Sequence, residues 1–283
     1  MAKIFKPLLI INLAIVLLMF FSTPSRAENE IIIEKPSSLQ IGMTLYRFDY
    51  KEDLTLPDKS TEYGWMPGVY LDYTYKKKST IYAKVFLSYA ANEITYDGSN
   101  SADEPVKFDE QKAQMFKFET NVGYPISIGK HFMLIPYLGY GFQYWERGEN
   151  QYLVEFDTIT IKEIYKWHYI PVGVRADFNI TNRLNISASA AANFMFYGEM
   201  TAYYSYIGDS DTDFKLGNRI GAYAEIPITY KFTNEFGIVL TPWYEYGAFG
   251  RSDWEYIGGG DFAFEPASRT HKYGANIGLL MSF

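Results

Sequence analysis

Three histidines are the first candidates for chemistry in this chain: His131, His168 and His271. An imidazole titrates near neutrality, so it can act as a general base, a proton carrier or a metal ligand. Hydrolysis would need one of them within hydrogen-bond reach of a nucleophile or an acid. Ser252 and Ser268 stand close to His271 in sequence, which makes His168, His271 and Ser268 the hydrolytic candidates. His131 belongs to a three-residue turn, "GKH", remote from the long loops. The second candidate is acidic. The stretch "GDSDTDF" presents Asp209, Asp211 and Asp213 at alternate positions, as calcium loops present their oxygen ligands. Such a loop also wants Gly at its sixth position and Glu at its twelfth, and here those are Phe214 and Ile220. The three aspartates are therefore calcium candidates inside what otherwise reads as a solvated acidic loop. Asp97, Asp103 and Glu104 form a further acidic stretch. The "GGGD" at 258–261 precedes no helical pattern that could cradle a phosphate, and no cofactor is expected.

What must position these residues begins with the compartment. Lys3 and Lys6 precede an apolar run from Pro7 to Phe21, and "STPSRA" then places Ser25 and Ala27 as small residues before a cleavage point. The apolar run is shorter than the roughly 20 residues of a spanning helix, so residues 1–27 read as a removed export signal. Residues 28–39 read as a short periplasmic lead-in and 40–283 as one domain. The formal charge of −7 argues against a nucleic-acid partner. Cysteine is absent, so no disulfide staples this exported chain, and aromatic residues reach 18%. High aromatic content without a long apolar segment fits a transmembrane β-barrel or a secreted β-sandwich.

The connections separate the two. Runs of period two lie near 40–51, 67–76, 79–96, 113–128, 132–147, 164–180, 184–198, 217–232, 236–249 and 269–283. Short connectors ("KKKS", "GKH", "TNR", "TNE") alternate with long ones at 52–66, 98–112, 148–163, 199–216 and 250–268. That sorting predicts an all-β, single transmembrane, up-and-down antiparallel barrel of about ten strands, with short periplasmic turns and long extracellular loops.

Each run has an apolar face and a polar one. Ile170, Val172, Val174, Ala176 and Phe178 alternate with Gly173, Arg175, Asp177 and Asn179. The polar faces carry Gly, Ser, Asn and sparse charges of both signs, which suits a crowded interior. Its cations are Lys84, Lys117, Arg175, Arg219, Lys231 and Lys272; its anions are Asp72, Glu119, Asp177, Glu225 and Glu245. A barrel of about eight strands is just filled by its side chains, so ten should enclose paired charges rather than a wide pore. Tyr73, Tyr75, Tyr124, Tyr144, Tyr230, Phe232, Tyr244 and Tyr246 stand near strand ends, where interfacial girdles form.

The last run alternates Tyr273, Ala275, Ile277, Leu279, Met281 and Phe283 on its apolar face. A terminal Phe in this setting resembles the assembly signal of Gram-negative outer-membrane barrels, carried here by Tyr273 and Phe283. The resemblance implies the barrel-assembly machinery, outer-membrane lipid and lipopolysaccharide as partners, with the extracellular ligand left open. Ten strands and this length also resemble the omptins, outer-membrane proteases that use two aspartates facing an Asp-x-His dyad. No His follows Asp209, Asp211 or Asp213 two residues on, so the resemblance covers the layout and not the dyad. The sequence predicts a structural or surface-interaction barrel with acidic, Tyr-rich loops. A surface hydrolase, either omptin-like or a lipid A deacylase pairing His with Ser, and a narrow solute channel are the alternatives.

Overall fold

Extended backbone sends successive side chains to opposite faces, and ten long strands of this chain use that alternation to build a cylinder. The computed structural model describes residues 35–54, 60–99, 104–129, 131–156 and 158–283; the expected signal peptide and residues 28–34 of the lead-in lie outside them. The wall strands are β1 (Ser37–Glu52), β2 (Ser60–Lys77), β3 (Ile81–Ser99), β4 (Pro105–Gly123, continued by Ile126–Ile128) and β5 (Phe132–Arg147). They go on as β6 (Glu163–Asn179), β7 (Leu184–Ala202), β8 (Ile220–Glu225, continued by Ile228–Lys231), β9 (Phe236–Phe249) and β10 (Ser268–Ser282). Each pairs antiparallel with the next, and β10 closes onto β1 from Ser38↔Ser282 to Glu52↔Ser268. Closure leaves the wall without a free edge, which is how an all-β fold satisfies its backbone.

Strand β1 begins at Ser37 rather than at residue 40, because Ser37 pairs with Tyr75 and Ser38 with Ser282. β2, β3 and β4 run well beyond their expected ends, so the first two outer connections shrink to residues 53–59 and 100–104. β8 is the least regular wall strand. Pro227 has no N–H to give, and the strand breaks around Ile226 and Pro227. Its expected start at 217 is also corrected: a bridge between Gly217 and Gly250 is all that joins the segment before Ile220 to β9.

The two faces divide as the alternation predicts. Ile41, Met43 and Leu45 of β1, Val172 and Val174 of β6 and Leu279 of β10 all point outward, and Leu279 is 70% exposed. A sandwich would bury such a face; this one is a continuous apolar surface far larger than a water-soluble domain leaves bare. Inside, Phe48, Tyr50, Trp145 and Tyr165 form an aromatic cluster toward the long-loop end, with Trp145 and Tyr165 stacked at 4.7 Å. The long loops carry structure of their own. Gln151–Leu153 pairs with Thr158–Thr160, Thr212–Lys215 extends the sheet beside β7, and Glu255–Gly258 pairs with Asp261–Ala263. That last hairpin turns on Gly258, Gly259 and Gly260, all at positive φ, so the "GGGD" stretch is a turn.

Candidate functional site

The interior is where the chain concentrates its ionisable side chains, and neighbouring strands supply them in register. Glu245 of β9 lies directly opposite Lys272 of β10. Its Oε1 accepts from Lys272 Nζ at 3.0 Å and its Oε2 from Lys117 Nζ at 2.7 Å. Gln143 bridges the same pair, accepting from Lys272 at 2.7 Å and donating to Glu245 at 3.1 Å. Lys117 also meets Glu119 at 3.4 Å, and Tyr169 donates its hydroxyl proton to Glu119 at 2.7 Å. The Tyr169 ring reaches that position by lying over Gly141, where a Cβ would collide with it. Two lysines and two glutamates therefore balance in the middle of the barrel.

A second cluster sits toward the short-turn end. Lys84 meets Asp72 at 3.2 Å and Glu225 at 3.1 Å, and Arg175 meets Asp177 at 2.7 Å and Glu225 at 3.9 Å. Lys76 adds a 2.6 Å contact to Asp177, and Ser187 accepts from Arg175 at 2.9 Å. Most of the charges expected inside are thus brought together as pairs. Arg219 stands in the irregular segment before β8, is exposed, and borders an interior cavity that Tyr169 and Glu245 also line. Lys231 ends the lower half of β8, half-buried, with its backbone N–H donating to Arg183.

The third cluster was not foreseen. Arg147 Nε lies 2.8 Å from Glu62 and 3.4 Å from Glu163, and its Nη1 lies 3.3 Å from Glu52. Glu265, from the last long loop, hydrogen-bonds Tyr165 at 2.8 Å and Tyr50 at 3.3 Å. Burial, with Glu52 and Glu163 close by, holds the Glu265 carboxyl well above the usual carboxylate range. Glu62 is completely buried, and its Oε2 has no hydrogen-bond partner. Glu52, Glu62, Glu163 and Glu265 lie in or beside stretches that read as loops, where period two had ended. The available signal was Arg147, an inward charge at the last position of a clear run.

Among the described residues, Gln143 and Glu245 line two interior cavities of about 40 and about 30 Å³. Each has room for a few waters only.

The outward histidines are a separate matter. His168 Nδ1 lies 2.7 Å from the Tyr140 hydroxyl, against Phe142, and His271 Nδ1 lies 2.8 Å from the Tyr244 hydroxyl, against Tyr246. Ser268 is 3% exposed and points inward, whereas His271, three residues on, points outward. Odd separation on a strand puts the two on opposite faces, so they do not converge. Ser252 accepts the Glu265 backbone N–H and donates to the Asp253 carbonyl. Asp211 accepts the Ser205 N–H and Asp213 the Thr201 hydroxyl, so both serve local loop geometry. Among the described residues no group of three acidic or His side chains is placed to hold a metal ion. Tyr273 and Phe283 both face outward, and Phe283 stacks on Tyr73 at 6.4 Å.

No family model matches the chain, and no curated protein sequence does. Solved structures do. The outer membrane protease OmpT from Escherichia coli superposes with a TM-score of 0.62 at 9% identity, covering 90% of this chain and 100% of that one. The outer membrane protein OprG from Pseudomonas aeruginosa gives 0.43 at 11% identity over 90% of this chain and 99% of that one. The chain has the fold of a small outer-membrane β-barrel, closed by ten antiparallel strands.

Proposed function

We propose that this chain is an outer-membrane β-barrel with a charge-closed interior, whose role is structural or one of surface interaction through its long loops. The observation that carries the reading is Glu245 held between Lys117 and Lys272 across the barrel axis, with Gln143 bridging them. Ion pairs that span the lumen from opposite walls, Lys117 to Glu245 and Lys84 to Glu225, support a closed interior over an open pore. The outward apolar band supports insertion in a lipid bilayer, and the fold supports the outer membrane as that bilayer. Export through the N-terminal signal, delivery to the assembly machinery through Tyr273 and Phe283, and contact with lipopolysaccharide belong to the same proposal. The loops supply the interaction surface. Trp254, Tyr256 and Phe262 stand exposed on the last one, among Asp253, Glu255 and Asp261.

Planar-bilayer recording of the purified full chain tests the closed interior: the expected outcome is no large, stable conductance step. Such a step would instead favour the channel. Mass spectrometry of lipid A from cells with and without the protein is expected to show unchanged acylation; altered acylation would favour the deacylase.

A further inference from the structure

The loop end of the interior has a shortage of protons. The ion pairs of Glu52, Glu62 and Glu163 all run to Arg147, and Glu265 joins them through two tyrosines. Four carboxylates against one guanidinium would leave three negative charges in a largely buried place, where isolated charges are avoided by taking up protons. The hydroxyls show where one proton belongs. Tyr50 Oη lies 3.1 Å from Glu52 Oε1 and 3.3 Å from Glu265 Oε1. Tyr165 Oη lies 3.1 Å from Glu163 Oε2 and 2.8 Å from Glu265 Oε1, and it already accepts from Arg147 Nη1 at 3.2 Å. A phenol has one proton to give. Two phenols therefore cannot serve four contacts to ionised acids. A proton on Glu265 Oε1 serves three of the four: it donates to Tyr165 Oη, Tyr165 donates to Glu163 and Tyr50 donates to Glu52, which leaves without a proton only the longest contact, Tyr50 to Glu265.

We propose that the loop end of this barrel is a proton-binding site, in which Glu265 carries a proton that it donates to Tyr165 and so clasps the last outer loop to the wall. The loop is built to transmit the clasp. Glu265 is tied at its backbone to Ser252, whose N–H donates to the Glu265 carbonyl at 2.9 Å and whose Oγ accepts from the Glu265 N–H at 2.8 Å. Between these two residues lies the hairpin Glu255–Ala263. Every wall element facing the site bears on its charge. β1 brings Tyr50 and Glu52, β2 brings Glu62, β3 brings Tyr96, and β6 brings Glu163 and Tyr165. β4 contributes the neutral Gln111, the neighbouring loop contributes Tyr204, and β5 brings Arg147, the one cation in ion-pair contact with these acids among the described residues. An acid held above its ordinary value of 4.5 stabilises the closed form fully below that value and loses the contribution as pH rises through the raised one. The loop is thus released by alkali.

The chain has no cysteine, so Phe262→Cys, at a side chain 61% exposed on the hairpin, gives a unique nitroxide site. The full chain in bilayers should give an ordered spin-label lineshape at about pH 5 and a mobile one at about pH 9, the range in which buried glutamates titrate. Glu265→Gln, which keeps a donor at that position without a titratable proton, should be ordered at both. Glu265→Ala should be mobile at both. Infrared spectra in D₂O at neutral pH should show an un-ionised carboxylic acid band that loses intensity in Glu265→Gln. Retained heat-modifiable gel mobility shows that each variant still folds. A lineshape that does not change with pH in the parent, or a carboxylic acid band whose intensity Glu265→Gln leaves unchanged, overturns the proposal.

Discussion

Glu245 answers to two lysines at once, and its loss would be felt by both. Glu245→Gln leaves Lys117 and Lys272 facing each other beside Gln143 with no acid between them. Removing one partner of a buried charge cluster costs about 3–5 kcal/mol. Urea unfolding in detergent should show that loss, and the double variant Glu245→Leu with Lys272→Met should lose less than Glu245→Gln alone. The inward set around Glu245, Glu225 and Asp177 could be read from the chain because polar residues alternated with apolar ones there. The start of the eighth run was placed too early for the opposite reason: it was extended through Gly217 and Asn218, where the backbone leaves the ladder. The acids around Arg147 escaped notice because both faces of the wall are polar near the loops, and alternation carries no information where neither side meets lipid.

At the scale of the strand, the shape of one residue decides where a ring can go. Gly141 on β5 gives Tyr169 on β6 the space to lie flat and reach Glu119. Gly141→Val fills that space, displaces the ring and takes the Tyr169 hydroxyl away from Glu119, which keeps Lys117 and Asn121. Overpacking of this kind costs about 1–3 kcal/mol, measurable as a lower urea midpoint with the barrel still formed. The outward face makes a contrary demand. Val172 stands mid-strand on β6 with half its surface bare. Val172→Arg should cost about 2–4 kcal/mol when the protein is unfolded from a bilayer, the penalty of a cation near the hydrocarbon midplane. A change within about 0.5 kcal/mol, as at an ordinary wet surface, would mean that β6 does not face lipid. The strands themselves were recoverable from period two alone, β5 and β9 to the residue. Their upward extensions were not, because β2, β3 and β4 continue as hairpins above the apolar band.

At the scale of the molecule, the cylinder closes through the pairing of β10 with β1, two strands from opposite ends of the described chain. That junction is no weaker than the ones beside it, since its ladder is as long and as regular as those of β1 with β2 and β9 with β10. The cycle of staves consequently has no privileged opening. A circular permutant, joined between Phe283 and residue 35 by a short flexible linker and cut in the Lys77–Thr80 turn, should form the same tube with the same heat-modifiable mobility. Its assembly rate should differ instead, because the last pair to zip would then be β2 with β3, which the native chain forms as a local hairpin.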